Sequence, residues 1–163
     1  MTAQQMWELF VKQNPDAADC TYDAWSYGDA PDELAELTRK GIKSATASAY
    51  PIYELEGEPL PEEVGYNIIL DSNESAVCIT RTERVFVLPF REVTEVQAFR
   101  EGEGDRSFAY WQEVHRRFFT QQFKRNCMPD GAKALPISFS PRGDWSMPSD
   151  TTARIWLEEM DKL

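Results

Sequence analysis

The chain has 163 residues, 42% hydrophobic, 12% aromatic and 28% charged. That suits one packed domain, is short for two, and argues against wholesale disorder. No apolar run approaches the roughly 20 residues that span a bilayer, which excludes a transmembrane helix. Lys and Arg number 17 against 28 Asp and Glu, a formal charge of −11 with a pI near 4.6. A protein that grips long stretches of phosphate backbone normally carries the opposite sign. The charge is uneven: residues 1–65 hold four basic and thirteen acidic side chains, whereas residues 66–163 hold thirteen and fifteen.

The N-terminal stretch MTAQQMWELFVKQNPDAADC lacks a basic n-region and an apolar h-region, so a cytoplasmic location is expected. Thr2 is placed to cap a first helix whose face is Met6, Leu9, Phe10 and Gln13, and Asn14-Pro15 ends it. Residues 16–31 read as an irregular aromatic stretch with Tyr22, Trp25 and Tyr27. A second helix opens at Pro31-Asp32, carries Leu34 and Leu37, and stops at Gly41. Strand patterns follow at 44–50, 66–70, 77–82 and 85–90, with a hairpin turn at Asp71-Ser72-Asn73 and burial on both faces of the last strand. Between them, ELEGEPLPEE is too rich in Glu, Gly and Pro for an element interior. Residues 105–125 form the longest helix, capped by Asp105 or Ser107, with Phe108, Trp111, His115, Phe118 and Phe119 as its apolar stripe. The tail offers one strand at 135–139 and a last helix at 152–163. The fold class is α+β, a small and mostly antiparallel sheet or barrel with flanking helices.

Cys20, Cys78 and Cys127 lie far apart, so neither a disulfide framework nor a metal knuckle is encoded, and Cys78 belongs to a core strand. His115 is the lone histidine and sits among apolar residues, which favours a packed helix histidine over a ligand. No spacing supports a metal site, and no cofactor motif is present.

Three stretches carry a resemblance. Gly41-Ile42-Lys43-Ser44-Ala45-Thr46 matches a GxKxxT motif. Val85-Phe86-Val87-Leu88-Pro89-Phe90 closes a strand–turn–strand block. Glu101-Gly102-Glu103-Gly104-Asp105 precedes Trp111, His115 and Phe118-Phe119. Together with CTYDAWSYG they resemble the ASCH domain family, in the bacterial branch with GxKxxT and EGEGD motifs. The likeness spans about residues 20–120 of a single domain covering 1–163, and residues 126–163 depart from the family pattern. The resemblance implies a PUA-like antiparallel β-barrel flanked by helices and association with RNA in a cleft beside GxKxxT. One branch of the family resembles an amidohydrolase that removes the acetyl group of N4-acetylcytidine, and another member behaves as a ribonuclease.

Carried onto this chain, the resemblance makes Lys43, Thr46 and Glu103 the catalytic candidates, with Glu101 as the alternative carboxylate. Thr46 would attack or position water, and Lys43 would take its proton if burial lowered its pKa by several units. A neighbouring glutamate works against that, and a charged Lys43 would instead contact a phosphate or a base carbonyl. Crowding of Glu101, Glu103 and Asp105 suggests that one of them is raised in pKa. Trp25, Tyr27, Ser44, Tyr50 and Glu101 are candidates for binding substrate, the aromatics by stacking on a base. The competing reading is an RNA-binding module or ribonuclease with Arg81, Arg84, Arg116, Arg117, Lys124 and Arg125 as a basic rim. The expected partner is therefore a nucleoside-like small molecule or single-stranded RNA, and no membrane.

Overall fold

A computed structural model describes residues 1–126 and the backbone of 136–139. The chain divides into two compact units. In its described part, the first comprises Met1–Gly41 and Val64–Thr82. The second comprises Ile42–Glu63, residues 83–126 and the strand at 136–139.

In the first unit, helix α1 (Ala3–Gln13) is started by a reciprocal capping box. The Thr2 hydroxyl accepts from the Gln5 amide at 3.2 Å, and the Gln5 side chain accepts from the Thr2 amide at 3.0 Å. Met6 and Phe10 are its buried residues, whereas Gln13 is exposed. They meet Ile68 and Ile79 in a core rimmed by the rings of Trp7, Tyr22 and Tyr66. Helix α2 (Pro31–Arg39) has proline in its first turn with Asp32 and Glu33 beside it, and Gly41 follows at φ +69°. Strands β3 (Tyr66–Leu70) and β4 (Ala76–Arg81) form the expected hairpin. Its turn is tied by the Asp71 carboxylate, which accepts from the amides of Asn73 and Ser75 at 2.8 Å each.

Residues 22–26, read from the sequence as irregular, are a strand, β1 (Tyr22–Ser26). It pairs with β3 in parallel, from Tyr22 opposite Tyr66 to Ser26 opposite Leu70. Asp23 and Ser26 are poor strand formers, and the neighbouring β3 ladder supplies what local propensity does not. The resulting sheet, in the order β1-β3-β4, is mixed rather than wholly antiparallel.

The second unit holds an antiparallel sheet in the order β2-β6-β5, made of β2 (Ala47–Ala49), β5 (Phe86–Pro89) and β6 (Pro136–Phe139). Three expectations change here. The strand expected through Tyr50 stops at Ala49, because Tyr50-Pro51 starts helix α3 (Tyr50–Glu56), which Gly57 ends in the left-handed region. Phe86 and Val87 on β5 are 38% and 46% exposed, so that strand is not buried on both faces. A further helix, α4 (Glu95–Glu101), precedes the long one. It has its own capping box, Thr94 with Gln97, and ends at Gly102. Helix α5 (Phe108–Arg125) begins at Ser107, whose hydroxyl accepts from the Tyr110 amide at 3.1 Å. Asp105 is not the cap; its carboxylate accepts from the Ser107 amide at 2.8 Å and is held below the usual carboxylate range by Ser107. Trp111, Phe119 and Phe123 pack with Ala49, Ile52, Val93 and Ala98 as this unit's core.

The α+β class therefore holds, although no ladder among the described residues closes the two sheets into a barrel. No helix among them is long and apolar enough to cross a membrane. The helix expected at 152–163 and Cys127 lie outside the described residues.

Candidate functional site

The GxKxxT segment leaves α2 as a strap without regular structure and enters β2 at Ala47. It is laced to the end of α4 by one carbonyl: Arg100 O accepts from the Ser44 amide at 2.8 Å and from the Ala45 amide at 3.2 Å. The approach is close enough to dictate a residue. A Cβ on Gly102 would lie 2.7 Å from the carbonyl oxygen of Ile42, and Gly102 also sits at φ +71°. Only glycine meets both demands. Gly104 has a similar reason, since a Cβ there would meet the Tyr110 ring at 2.5 Å. The two glycines of EGEGD are thus packing residues, and their effect is to bring two glutamates to the strap.

Those glutamates grip Lys43. Its Nζ donates to Glu101 Oε2 and to Glu103 Oε1, each at 2.7 Å. The Lys43 and Glu101 side chains are 2% exposed, whereas that of Glu103 is 15% exposed. The other oxygen of Glu101 accepts from Trp111 Nε1 at 3.0 Å, and His115 Nε2 lies 3.6 Å from it. Burial by itself would raise the Glu101 carboxyl, but Lys43 and His115 beside it outweigh that and hold it at about 2. The expectation of a raised pKa within this carboxylate cluster is therefore wrong for Glu101. The ammonium set between the two carboxylates offsets their repulsion. Two carboxylates at 2.7 Å favour the charged ammonium form of Lys43.

Glu101, Glu103 and His115 also have ligand-type atoms within 4.8 Å of one another, a cluster that the sequence spacing did not suggest. The Lys43 ammonium already stands against both carboxylates where a cation would bind. Thr46 is half-buried on the same strap, Ser44 contributes its amide to Arg100, and Tyr50 is half-buried at the start of α3.

Trp25 and Tyr27 belong to the first unit. Their rings meet edge to face at 5.0 Å and pack against Ala35, Ile69 and Cys78. Trp25 donates to Asn67 at 3.0 Å, and the Tyr27 hydroxyl is 2.7 Å from that of Thr38. These contacts describe core-edge packing. Cys78 is in that core, as expected, and burial pushes its thiol up to about 12.

The basic residues divide. Arg81 is in the first unit, over the Tyr66 ring at 5.7 Å. Arg84 is exposed just before β5. Arg116, Arg117, Lys124 and Arg125 are all exposed on α5, and none forms an ion pair with the described acidic residues. Arg116 lies 5.9 Å from the centre of the Phe90 ring. Sequence reasoning missed the link from Trp111 and His115 to Glu101. Their spacing of four on α5 was its signal: it puts two polar ring atoms on a face otherwise made of phenylalanines.

Comparison with known proteins places this geometry in a family. The structure resembles that of an ASCH domain from Lactobacillus crispatus JV V101, with a TM-score of 0.77, 24% identity, and coverage of 84% of this chain and 90% of that one. A protein from Enterococcus faecalis V583 gives a TM-score of 0.69 and 30% identity, covering 82% of this chain and 83% of its own. A shorter likeness, 45% identity over 56 residues, links the chain to the glutamine-dependent NAD(+) synthetases of Mycobacterium tuberculosis and Mycobacterium leprae. It spans 32% of this chain and 8% of those enzymes, so the chain corresponds to under a tenth of their length. The family model for the ASCH domain matches residues 23–132, two thirds of the chain and all of the Lys43–Glu101–Glu103 cluster, and the chain belongs to the ASCH domain family.

Proposed function

We propose that the Lys43–Glu103 cluster binds a nucleoside or an RNA base and hydrolyses an N-acyl amide on it, as in N4-acetylcytidine. The observation that carries this reading is Lys43, on the GxKxxT strap, fixed between a buried carboxylate and a partly exposed one. Glu103 is the carboxylate open to solvent, hence the group that exchanges protons with a substrate. It accepts the proton from the Thr46 hydroxyl, or from a water that Thr46 orients, as that oxygen attacks the acyl carbon. It then returns the proton to the departing nucleoside nitrogen as the C–N bond breaks. With water as the nucleophile the products are the free amine of the nucleoside and the carboxylic acid. With Thr46 as the nucleophile the amine leaves first; a water deprotonated by Glu103 then cleaves the acyl-threonine ester, the proton returning to the Thr46 oxygen, to release the same acid. Glu101 holds Lys43 in place, and the ammonium fixes the Glu103 carboxylate for both transfers. A neutral nucleoside also meets no repulsion from a protein of charge −11.

The test is incubation with N4-acetylcytidine and chromatography of the products. Wild type should release cytidine and acetate. Glu103→Gln, Thr46→Ala and Lys43→Ala should each lose roughly a hundredfold or more, within the usual range for a proton-transfer group. Neither turnover nor binding of any acylated nucleoside would overturn the reading.

A second reading, RNA binding, is supported by the four exposed cations on α5. In that case the same cluster receives its base from within a strand, and a labelled single-stranded oligomer would bind while the free nucleoside would not.

A further inference from the structure

We propose that Trp111 and His115 are positioning residues, which together fix the buried Glu101 carboxylate and, through it, the Lys43 ammonium against Glu103. The inference rests on reading Lys43 and Glu103 as the centre of the site, and adds two residues one layer behind them.

The direction of each polar ring atom is set before Glu101 is considered. The Trp111 indole stacks on Phe90 at 5.2 Å, on Phe108 at 6.2 Å with the planes only 6° apart, and on the His115 ring at 4.3 Å. That stack leaves the indole little freedom to rotate, so its N–H is a preset donor to Glu101 Oε1. His115 is oriented from the other side. Its Nδ1 lies 3.0 Å from the Trp111 carbonyl oxygen, and a carbonyl only accepts, so Nδ1 carries a proton. With Nδ1 so engaged and Phe119 edge-on at 5.6 Å, Nε2 is left facing Glu101 Oε1 at 3.6 Å, and it attracts that carboxylate only in the imidazolium form, with a second proton on Nε2. One oxygen of Glu101 is thereby held by α5, and the other receives Lys43 at 2.7 Å. The order of dependence runs from the aromatic stack to Glu101, then Lys43, then Glu103. Neither Trp111 nor His115 has a described hydrogen bond to Glu103, although a His115 ring nitrogen lies within 4.8 Å of a Glu103 carboxylate oxygen; the proposed path runs through Glu101.

Trp111→Phe keeps an aromatic ring in the stack but removes the N–H together with part of the indole's volume, and His115→Phe removes both ring nitrogens. Phe90→Leu disturbs the same stack but keeps every polar contact, and serves as the control for packing. Two readouts separate positioning from mere packing. The first is acylation of Lys43 by acetic anhydride, quantified by mass spectrometry against the exposed lysines. Losing a hydrogen bond to a charged group should raise the Lys43 rate roughly 10- to 100-fold in Trp111→Phe, with His115→Phe in the same direction and Phe90→Leu near wild type. The second is hydrolysis of N4-acetylcytidine, where kcat should fall in both polar variants while KM holds. A wild type without turnover would remove the functional reading, and the acylation comparison would still decide the positioning claim. Because His115 is the only histidine, its ring nitrogens can be assigned directly by NMR. Wild-type acylation of Lys43 in Trp111→Phe, an equal rise in Phe90→Leu, or an Nδ1 without a proton would each overturn the proposal.

Discussion

Glu101 and Glu103 are two residues apart and identical in type, yet their environments give them different work. Glu101 is enclosed by an ammonium, an indole N–H and an imidazole; Glu103 shares the ammonium but reaches solvent. The sequence showed that carboxylates crowd this turn and that one of them belongs with Lys43. It did not show which, because burial is decided by α5, whose contribution comes from residues ten and fourteen positions later. The difference has a consequence in acid. Glu101 titrates at about 2 in the folded protein against an ordinary value of 4.5, so its stabilising effect is complete above about 4.5 and is lost as pH falls through about 2. The full effect is on the order of 3 kcal/mol. Glu36 is also held at about 2, by its hydrogen bond with Arg39, but that pair is exposed and contributes little. Urea midpoints should therefore drop between pH 4.5 and 2 in wild type. Glu101→Gln should be less stable at pH 7 and flatter across that window. An equally steep acid decline in the variant would show that Glu101 is not the group responsible.

At the level of elements, legibility followed the strength of local signals. Helix α1 carries a capping box, α2 a first-turn proline and a closing Gly41, both with apolar spacing; the β3–β4 hairpin carries an Asp-Ser-Asn turn, and α5 carries five apolar-face residues. All were read correctly in type and nearly in extent. The misses are short elements with a tertiary cause. β1 exists through its ladder with β3, and α3 and α4 are seven residues each, too short for periodicity to show. Yet α4 had punctuation at both ends, Thr94 with Gln97 and then Gly102, and its last residue is Glu101. The junction of α4 with the GxKxxT strap is where the site depends on a backbone contact. Gly102→Ala would place a methyl 2.7 Å from the Ile42 oxygen while straining a backbone at φ +71°. The expected loss exceeds about 1 kcal/mol, and Lys43 should come away from its glutamates as the strap shifts. Gly41→Ala is the instructive comparison. It has the same sign of φ, +69°, but nothing within 4 Å of the added Cβ, so it should suffer the strain without the clash. Thermal melts of the two variants, together with Lys43 acylation, would separate the terms. Equal melts and equal acylation would mean that the close approach to Ile42 is not a constraint.

For the whole molecule, charge decides between a free nucleoside and a strand. The chain carries −11, which opposes a polyanion at a distance, while α5 offers Arg116, Arg117, Lys124 and Arg125 without described acidic partners. A ligand that neutralises Z phosphates on a single strand loses affinity with a log–log salt slope of about −0.7Z, so four contacts set a limit near −3. A nucleoside brings no phosphate, and its slope should be near zero. Binding measured by anisotropy for a labelled RNA oligomer, and by calorimetry for N4-acetylcytidine, should give those two slopes between about 50 and 200 mM salt. The RNA slope should shrink by about 1.4 when Arg117 and Lys124 are both replaced by alanine, since two phosphate contacts are removed. The nucleoside slope should not move, because neither residue touches the Lys43 cluster in the described contacts. An RNA slope steeper than about −3 would require cations beyond α5 to reach the strand. A steep slope for the nucleoside would mean that the cluster is held by charge rather than by hydrogen bonds and shape.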